Sequence, residues 1–178
     1  RTYKIRTQRF ILLILLLSCI TSVFSSDFFH RIAEDDGLSN RRCFSVQQDK
    51  HGFMWISTKL GVDRFDGKNF RHYPLNLFPD QGYNRIGVNY LRCSPDSTLW
   101  VFSEAGLLFQ YDERKDEFEL IYAVRDFFNN HSIILNDVMF DSPETAFLST
   151  SKGVLKLNLP DRMALLLPGT EELSVNQV

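Results

Sequence analysis

Cys43–Tyr73 reads CFSVQQDKHGFMWISTKLGVDRFDGKNFRHY, and this stretch decides the fold because it recurs. A second copy runs from Val88 to Tyr122 as VNYLRCSPDSTLWVFSEAGLLFQYDERKDEFELIY, and a third from Leu135 to Leu167 as LNDVMFDSPETAFLSTSKGVLKLNLPDRMALLL. Their anchors are Trp55, Trp100 and Phe147, spaced by 45 and 47 residues. Six residues after each anchor stands a glycine: Gly61, Gly106 and Gly153. Each glycine leads into an apolar run ending at Asp66, Asp112 or Asn158. Self-similarity at a fixed period signals a repeat architecture. A fourth copy is expected to begin at Leu173-Ser174-Val175-Asn176.

One repeat resolves into four short strands: Cys43–Gln48, Phe53–Ser57, Val62–Phe65 and Asn69–Tyr73. Asp49 to Gly52 is a polar turn, and Asp66-Gly67 is a hairpin signal. The second repeat replaces that hairpin with the longer turn Asp112 to Asp116. The third reads Leu135–Phe140, Ala146–Ser149, Val154–Leu157 and Ala164–Leu167. Apolar runs of five or six residues bounded by turns do not fit a helical solenoid. Four antiparallel strands in 40–50 residues match a β-propeller blade. The predicted class is all-β, with blades at about 41–73, 86–122 and 134–167 and a fourth starting at 173.

Within this frame Trp55 and Trp100 are expected in the core, and Asp49, Asp66, Asp96 and Asp112 are expected to serve turns. Seven blades of this period need roughly 300 residues, so 27–178 is read as an incomplete propeller whose apolar flanks make it aggregation-prone alone. Phe28–Ile32 is read as a strand completing the last blade of the ring.

The chain has 178 residues, of which 44% are hydrophobic, 24% charged and 13% aromatic, a globular composition. Arg1, Lys4, Arg6 and Arg9 are followed by an 11-residue apolar run from Phe10 to Ile20 and a small polar stretch to Ser26. That order marks a secretory signal at 1–26 cleaved near Ser25 or Ser26, with an uncleaved anchor as the alternative. The run is short of the roughly 20 residues of a membrane span. Leu16-Leu17-Ser18-Cys19 is a poor lipoprotein box. Past residue 26, 16 basic residues face 22 acidic ones, a net charge of −6. An acidic body argues against nucleic-acid contact.

Asp35-Asp36-Gly37-Leu38-Ser39-Asn40, Gln48 to Thr58 (QDKHGFMWIST) and Gly61 to Gly67 (GVDRFDG) resemble the first repeat of two-component-regulator propellers. Later repeats depart from the family pattern: Ser103-Glu104 stands for the glycine-threonine after Trp100, and Phe147 replaces a tryptophan. The chain is similar to the amino-terminal piece of a hybrid two-component system sensor. The resemblance implies seven-bladed periplasmic propellers, an inner-membrane crossing, a homodimeric histidine kinase with receiver and transcription-regulating modules, and an oligosaccharide fragment as the sensed ligand.

No catalytic arrangement or phosphate loop stands out, and no cofactor is expected. His30, His51, His72 and His131 lack metal-site spacing. Cys43 and Cys93 are expected as buried free thiols at opposite ends of adjacent inner strands. Two long inter-blade loops remain, Pro74–Arg85 and Ala123–Ile133. Loops on rigid scaffolds carry binding sites. Tyr83, Asn84, Arg85, Arg125, Asn129, Asn130 and His131 are the candidate ligand contacts, since planar amides and arginine suit sugar hydroxyls. Phe127 and Phe128 either stack on a sugar or fill a gap under the loop. A secreted propeller enzyme acting on polysaccharide would need paired carboxylates at a pocket, and a protein-contact scaffold would need neither.

Overall fold

The computed structural model describes residues 31–75, 89–129 and 132–171. The expected signal segment, Phe28 to His30 and the fourth-repeat start at Leu173 lie outside the described residues. Ile32–Val178 forms one unit by its contacts, separate from Arg1–Arg31. Arg31 and Ile32 are not in a strand, because no described strand pairs with them.

Among the described residues, twelve strands make three four-stranded antiparallel sheets in meander order. The first holds β1 (Cys43–Gln48), β2 (Met54–Thr58), β3 (Gly61–Phe65) and β4 (Phe70–Tyr73). The second holds β5 (Asn89–Cys93), β6 (Leu99–Ser103), β7 (Leu107–Asp112) and β8 (Glu117–Ala123). The third holds β9 (Leu135–Ser142), β10 (Thr145–Thr150), β11 (Gly153–Asn158) and β12 (Met163–Leu166). These are three propeller-type blades. A short 3-10 turn spans Glu34–Asp36, and the one α-helix among the described residues, α1 (Val124–Phe128), sits in a connection read from sequence as loop. Val124 is fully buried and anchors it, while Asn129 at φ 47° ends it by donating its backbone N–H to the Arg125 and Asp126 carbonyls.

Each seam between blades is a separate apolar core. Trp55, Val62, Tyr73 and Leu75 of the first blade meet Leu91, Val101, Phe109 and Phe118 of the second. Trp100, Phe102 and Leu108 of the second blade cluster with Leu135, Val138, Leu148 and Leu155 of the third. Trp55 is 0% exposed and Trp100 3%, so both expected core positions are filled as expected. The Trp55 ring lies 4.7 Å from Tyr111 and 5.8 Å from Phe118, both edge-on. The first seam is also stitched by serines. Leu91 N–H donates to Ser45 Oγ at 2.8 Å, and Ser57 Oγ donates to the Asn89 carbonyl at 2.8 Å. These bonds reach the backbone of β5 from the neighbouring blade.

The recurring anchor and glycine have direct causes. Gly61 has φ 136°, a left-handed value that disfavours any side chain, and a Cβ there would collide with the Tyr73 carbonyl. Thr58 and Thr150, three residues after the anchors, donate from Oγ1 to the Gly61 and Gly153 carbonyls at 3.3 and 2.7 Å. In the second blade the hydroxyl at that position is Ser103, whose Oγ accepts from Leu107 N–H at 3.4 Å. The motif pair after Trp100 is therefore Phe102-Ser103, one residue earlier than the sequence alignment placed it.

Cys43 and Cys93 are both free, but Cys43 is exposed rather than buried. A register irregularity between Cys43 and Ser45 breaks the alternation there, so the side chain is not carried into a seam. Two sheet faces keep large exposed side chains. Met139, Leu165 and Met163 on the third blade are 61%, 64% and 70% exposed, and Val46 on the first is 55% exposed.

Candidate functional site

The meander order puts the β2–β3, β6–β7 and β10–β11 turns at the same end as the inter-blade connections. Backbone bonds tie them together: Val124 N–H donates to the Gly106 carbonyl at 2.8 Å, and Leu135 N–H to the Glu104 carbonyl at 3.1 Å. This end is the loop face. Of the candidate contacts, Tyr83, Asn84, Arg85, Asn130 and His131 lie outside the described residues. Arg125 and Asn129 are described, both at α1. The Arg125 side chain is 13% exposed, with Nε 3.5 Å from Asp126 Oδ1. Asn129 is exposed in its left-handed cap position. The two phenylalanines divide their roles. Phe128 packs against the second seam's core, whereas Phe127 is 40% exposed and meets Phe128 edge-on at 5.0 Å. Leu60 and Ile134, 52% and 49% exposed, belong to the same face.

The opposite end carries the remaining turns, and here the four turn aspartates behave as read from sequence. Asp49 accepts backbone N–H bonds from His51 and Phe53, and its second oxygen accepts from the Trp55 indole at 2.7 Å. The turn is thereby coupled to the buried ring. In the second blade Ser94 takes that place, accepting from the Trp100 indole at 3.1 Å, while Asp96 orients Ser94 at 2.5 Å. Asp66 accepts from the Lys68 and Asn69 backbone, and Asp112 from Arg114 and Lys115. Backbone N–H groups, from Asn69 first at Asp66 and from Arg114 first at Asp112, hold both carboxyls below the usual range.

Between these turns a polar cleft of about 450 Å³ lies at the junction of the first two blades, lined by Asp49, Lys50, Thr98, Gln110, Tyr111 and Glu113 among others. Its charges are spent in part on each other, since Lys50 Nζ is 2.7 Å from Glu113 Oε1. Sequence reasoning did not find this cleft, whose walls come from turns about 50 to 70 residues apart.

Beside the cleft is a cross-blade cluster that sequence reasoning also missed. Asp116, in the β7–β8 turn at φ 54°, accepts from Tyr111 Oη at 2.5 Å, Tyr73 Oη at 2.6 Å and Arg64 at 3.2 Å, and pairs with Arg71. The Arg64 guanidinium also stands 4.8 Å over the Phe53 ring and 5.5 Å over Trp55. Burial opposes ionisation of Asp116, yet the two tyrosine bonds and two guanidinium charges hold its carboxyl below the ordinary value. Burial, with Asp116 as acceptor, pushes the Tyr73 and Tyr111 phenols up, so both stay protonated donors. On the other face of the first sheet, buried Asp63 accepts from Ser39 N–H at 2.8 Å and bonds His72 Nδ1 at 2.8 Å, fixing the segment before β1 to the blade.

Partial desolvation, aided by the Asp63 charge at Cys43 and the Asp49 charge at Cys93, raises both thiols above the ordinary range. Among the described residues no three His, Cys, Asp or Glu side chains gather as metal ligands, and no helix is long and apolar enough to cross a membrane.

No family model matches the chain. A 52-residue stretch is 36% identical to "Histidine kinase P4" of Formosa agariphila, covering 29% of this chain and 4% of that relative. The extracellular domain of the putative hybrid two component system BT3049 from B. thetaiotaomicron superposes with a TM-score of 0.61 at 20% identity, over 78% of this chain and 20% of that one. That of BT4673 from the same organism gives 0.63 at 16% identity, over 80% and 18%. The chain thus spans about a fifth of the solved domains it resembles. Its fold is that found in the extracellular domains of hybrid two-component systems.

Proposed function

We propose that this chain is part of the extracytoplasmic sensor of a two-component receptor, without catalysis of its own, and that it senses a glycan fragment on its loop face. The observation that carries the reading is the convergence of the Gln48–Gly67 motif, the histidine kinase likeness and the blade fold. The three blades belong to a larger ring, which the exposed flanks at Val46 and at Met139, Met163 and Leu165 support. In the parent chain an exported propeller precedes a membrane crossing and a kinase that acts as a homodimer. Ligand binding would shift the receptor between two states for which the ligand has different affinity.

On the loop face, exposed Phe127 offers a ring for the C–H face of a sugar, and the sequence of the two connections adds Arg85, Asn130 and His131, residue types that carry donors and acceptors for hydroxyls. A protein-contact surface is the second reading, favoured by the apolar trio Leu60, Phe127 and Ile134. Calorimetric titration of the parent's extracytoplasmic region against a panel of oligosaccharide fragments tests the reading. Replacing Arg85, Asn130 and His131 together by alanine should weaken binding at least tenfold, with the melting temperature lowered by no more than a few degrees, because polar substitutions in loops away from a core cost little. Unchanged affinity removes this face from the site. No binding by any fragment removes the glycan reading.

A further inference from the structure

Asn89 opens β5 on the face that looks into the first seam, two residues before Leu91 and directly opposite Ser103 on β6. It is 1% exposed, and Ser103 is 0%. Its backbone carbonyl is taken by Ser57 Oγ. Its side chain is not: neither Oδ1 nor Nδ2 has a hydrogen-bond partner among the described residues. Every other seam-facing position of β5 and β6 is apolar, cysteine or Ser103, and an apolar side chain of asparagine's size would carry no desolvation cost here. A buried amide with both ends unmet calls for an explanation, and in native proteins the usual one is a bound polar molecule.

We propose that the Asn89 amide is a binding site for one hydroxylic group lodged at the loop-face end of the first seam. A hydroxyl both donates and accepts, so it meets Oδ1 and Nδ2 together, which an anion or a cation cannot do. Ser103, whose Oγ is engaged among the described residues by the long 3.4 Å contact from Leu107 N–H, sits opposite Asn89 with a hydroxyl proton still to place. The hydroxyl comes either from a trapped water or from a polyol ligand entering at the loop face. Only the second source rests on the glycan reading above.

The test is a crystal structure of the full-length extracytoplasmic region at high resolution, grown without and with an oligosaccharide fragment. An isolated oxygen peak within about 3.2 Å of both amide atoms in both crystals assigns the site to water. A sugar hydroxyl replacing that peak assigns it to the ligand. No peak in either crystal, or a protein group bonded to the amide instead, overturns the proposal. In solution Asn89→Leu gives an independent check. If the amide is bonded through a hydroxylic guest, the variant melts at or below the wild-type temperature. A rise of about 4 °C or more means that the substitution relieved a merely stranded amide, and refutes the site.

Discussion

Asp116→Ala removes one acceptor from four donors. Two are tyrosine hydroxyls on different blades, Tyr73 and Tyr111, and two are the guanidiniums of Arg64 and Arg71. Hydrogen bonds to a charged group contribute about 1.5–3 kcal/mol each. The Asp116 side chain is 27% exposed and Arg71 55%, so water recovers part of the loss and the Arg71 pair adds little. The left-handed backbone at residue 116 costs alanine about 1 kcal/mol more than aspartate. A total of about 3–4 kcal/mol follows for Asp116→Ala. Asp116→Asn, which tolerates that backbone and keeps one acceptor, should lose about 2 kcal/mol. Urea denaturation of both variants and of Tyr111→Phe, alone and combined, in the parent's full extracytoplasmic region measures the coupling. The pH dependence has a fixed sign. Asp116 is depressed in the folded state, so its contribution is full above the unfolded carboxylate value near 3.9 and is lost as pH falls through the lower folded value. The gap between wild type and Asp116→Asn must therefore narrow in acid. A loss under about 0.5 kcal/mol, or a gap that does not change with pH, refutes the clamp.

Trp55→Ala empties a fully buried site and strands Asp49 Oδ2, for an expected loss of about 3–5 kcal/mol by chemical denaturation. Gly61→Val should impair folding more than Gly67→Val, because only at Gly61 does the new Cβ meet backbone, and soluble yield with thermal melts compares them. Export from a Gram-negative host should yield protein beginning near Ser26 or Asp27, and amino-terminal sequencing that finds Arg1 intact on soluble cytoplasmic protein refutes the signal. Residues 27–178 produced alone should aggregate or stay partly unfolded through the exposed flanks, and sedimentation showing a well-folded monomer would contradict the larger ring.

What could be read from sequence was what recurs locally. The aromatic-to-glycine spacing exposes itself because one hairpin enforces it: the anchor fills the seam, and the glycine six residues on must take a conformation that a side chain disfavours. Turn aspartates are equally visible, since their bonds reach only two to six residues. The Asp116 cluster was not visible because its first-blade members lie 43 to 52 residues before Asp116 in the chain, and Tyr73 and Tyr111 look like ordinary strand tyrosines. Cys43 was misread because the irregularity beside it breaks the period-2 rule on which burial was argued. The α1 helix is too short to show periodicity and exists because Val124 finds a place in the second core. On the loop face, Phe127 and Phe128 are adjacent and chemically identical, and only packing decides which one is free to meet a partner.

The serines at 45 and 57 have a consequence for solubility. An inner strand such as β5 has a sheet neighbour on one side only, and its other edge offers unpaired N–H and C=O groups, the template on which foreign strands add. Ser45 and Ser57 occupy two of those groups, the Leu91 N–H and the Asn89 carbonyl, with hydroxyls that cannot themselves propagate a ladder. The seam that joins two blades thus also blunts an amyloid-competent edge, at the point where a chain folding blade by blade would otherwise be most open to pairing with its own copies.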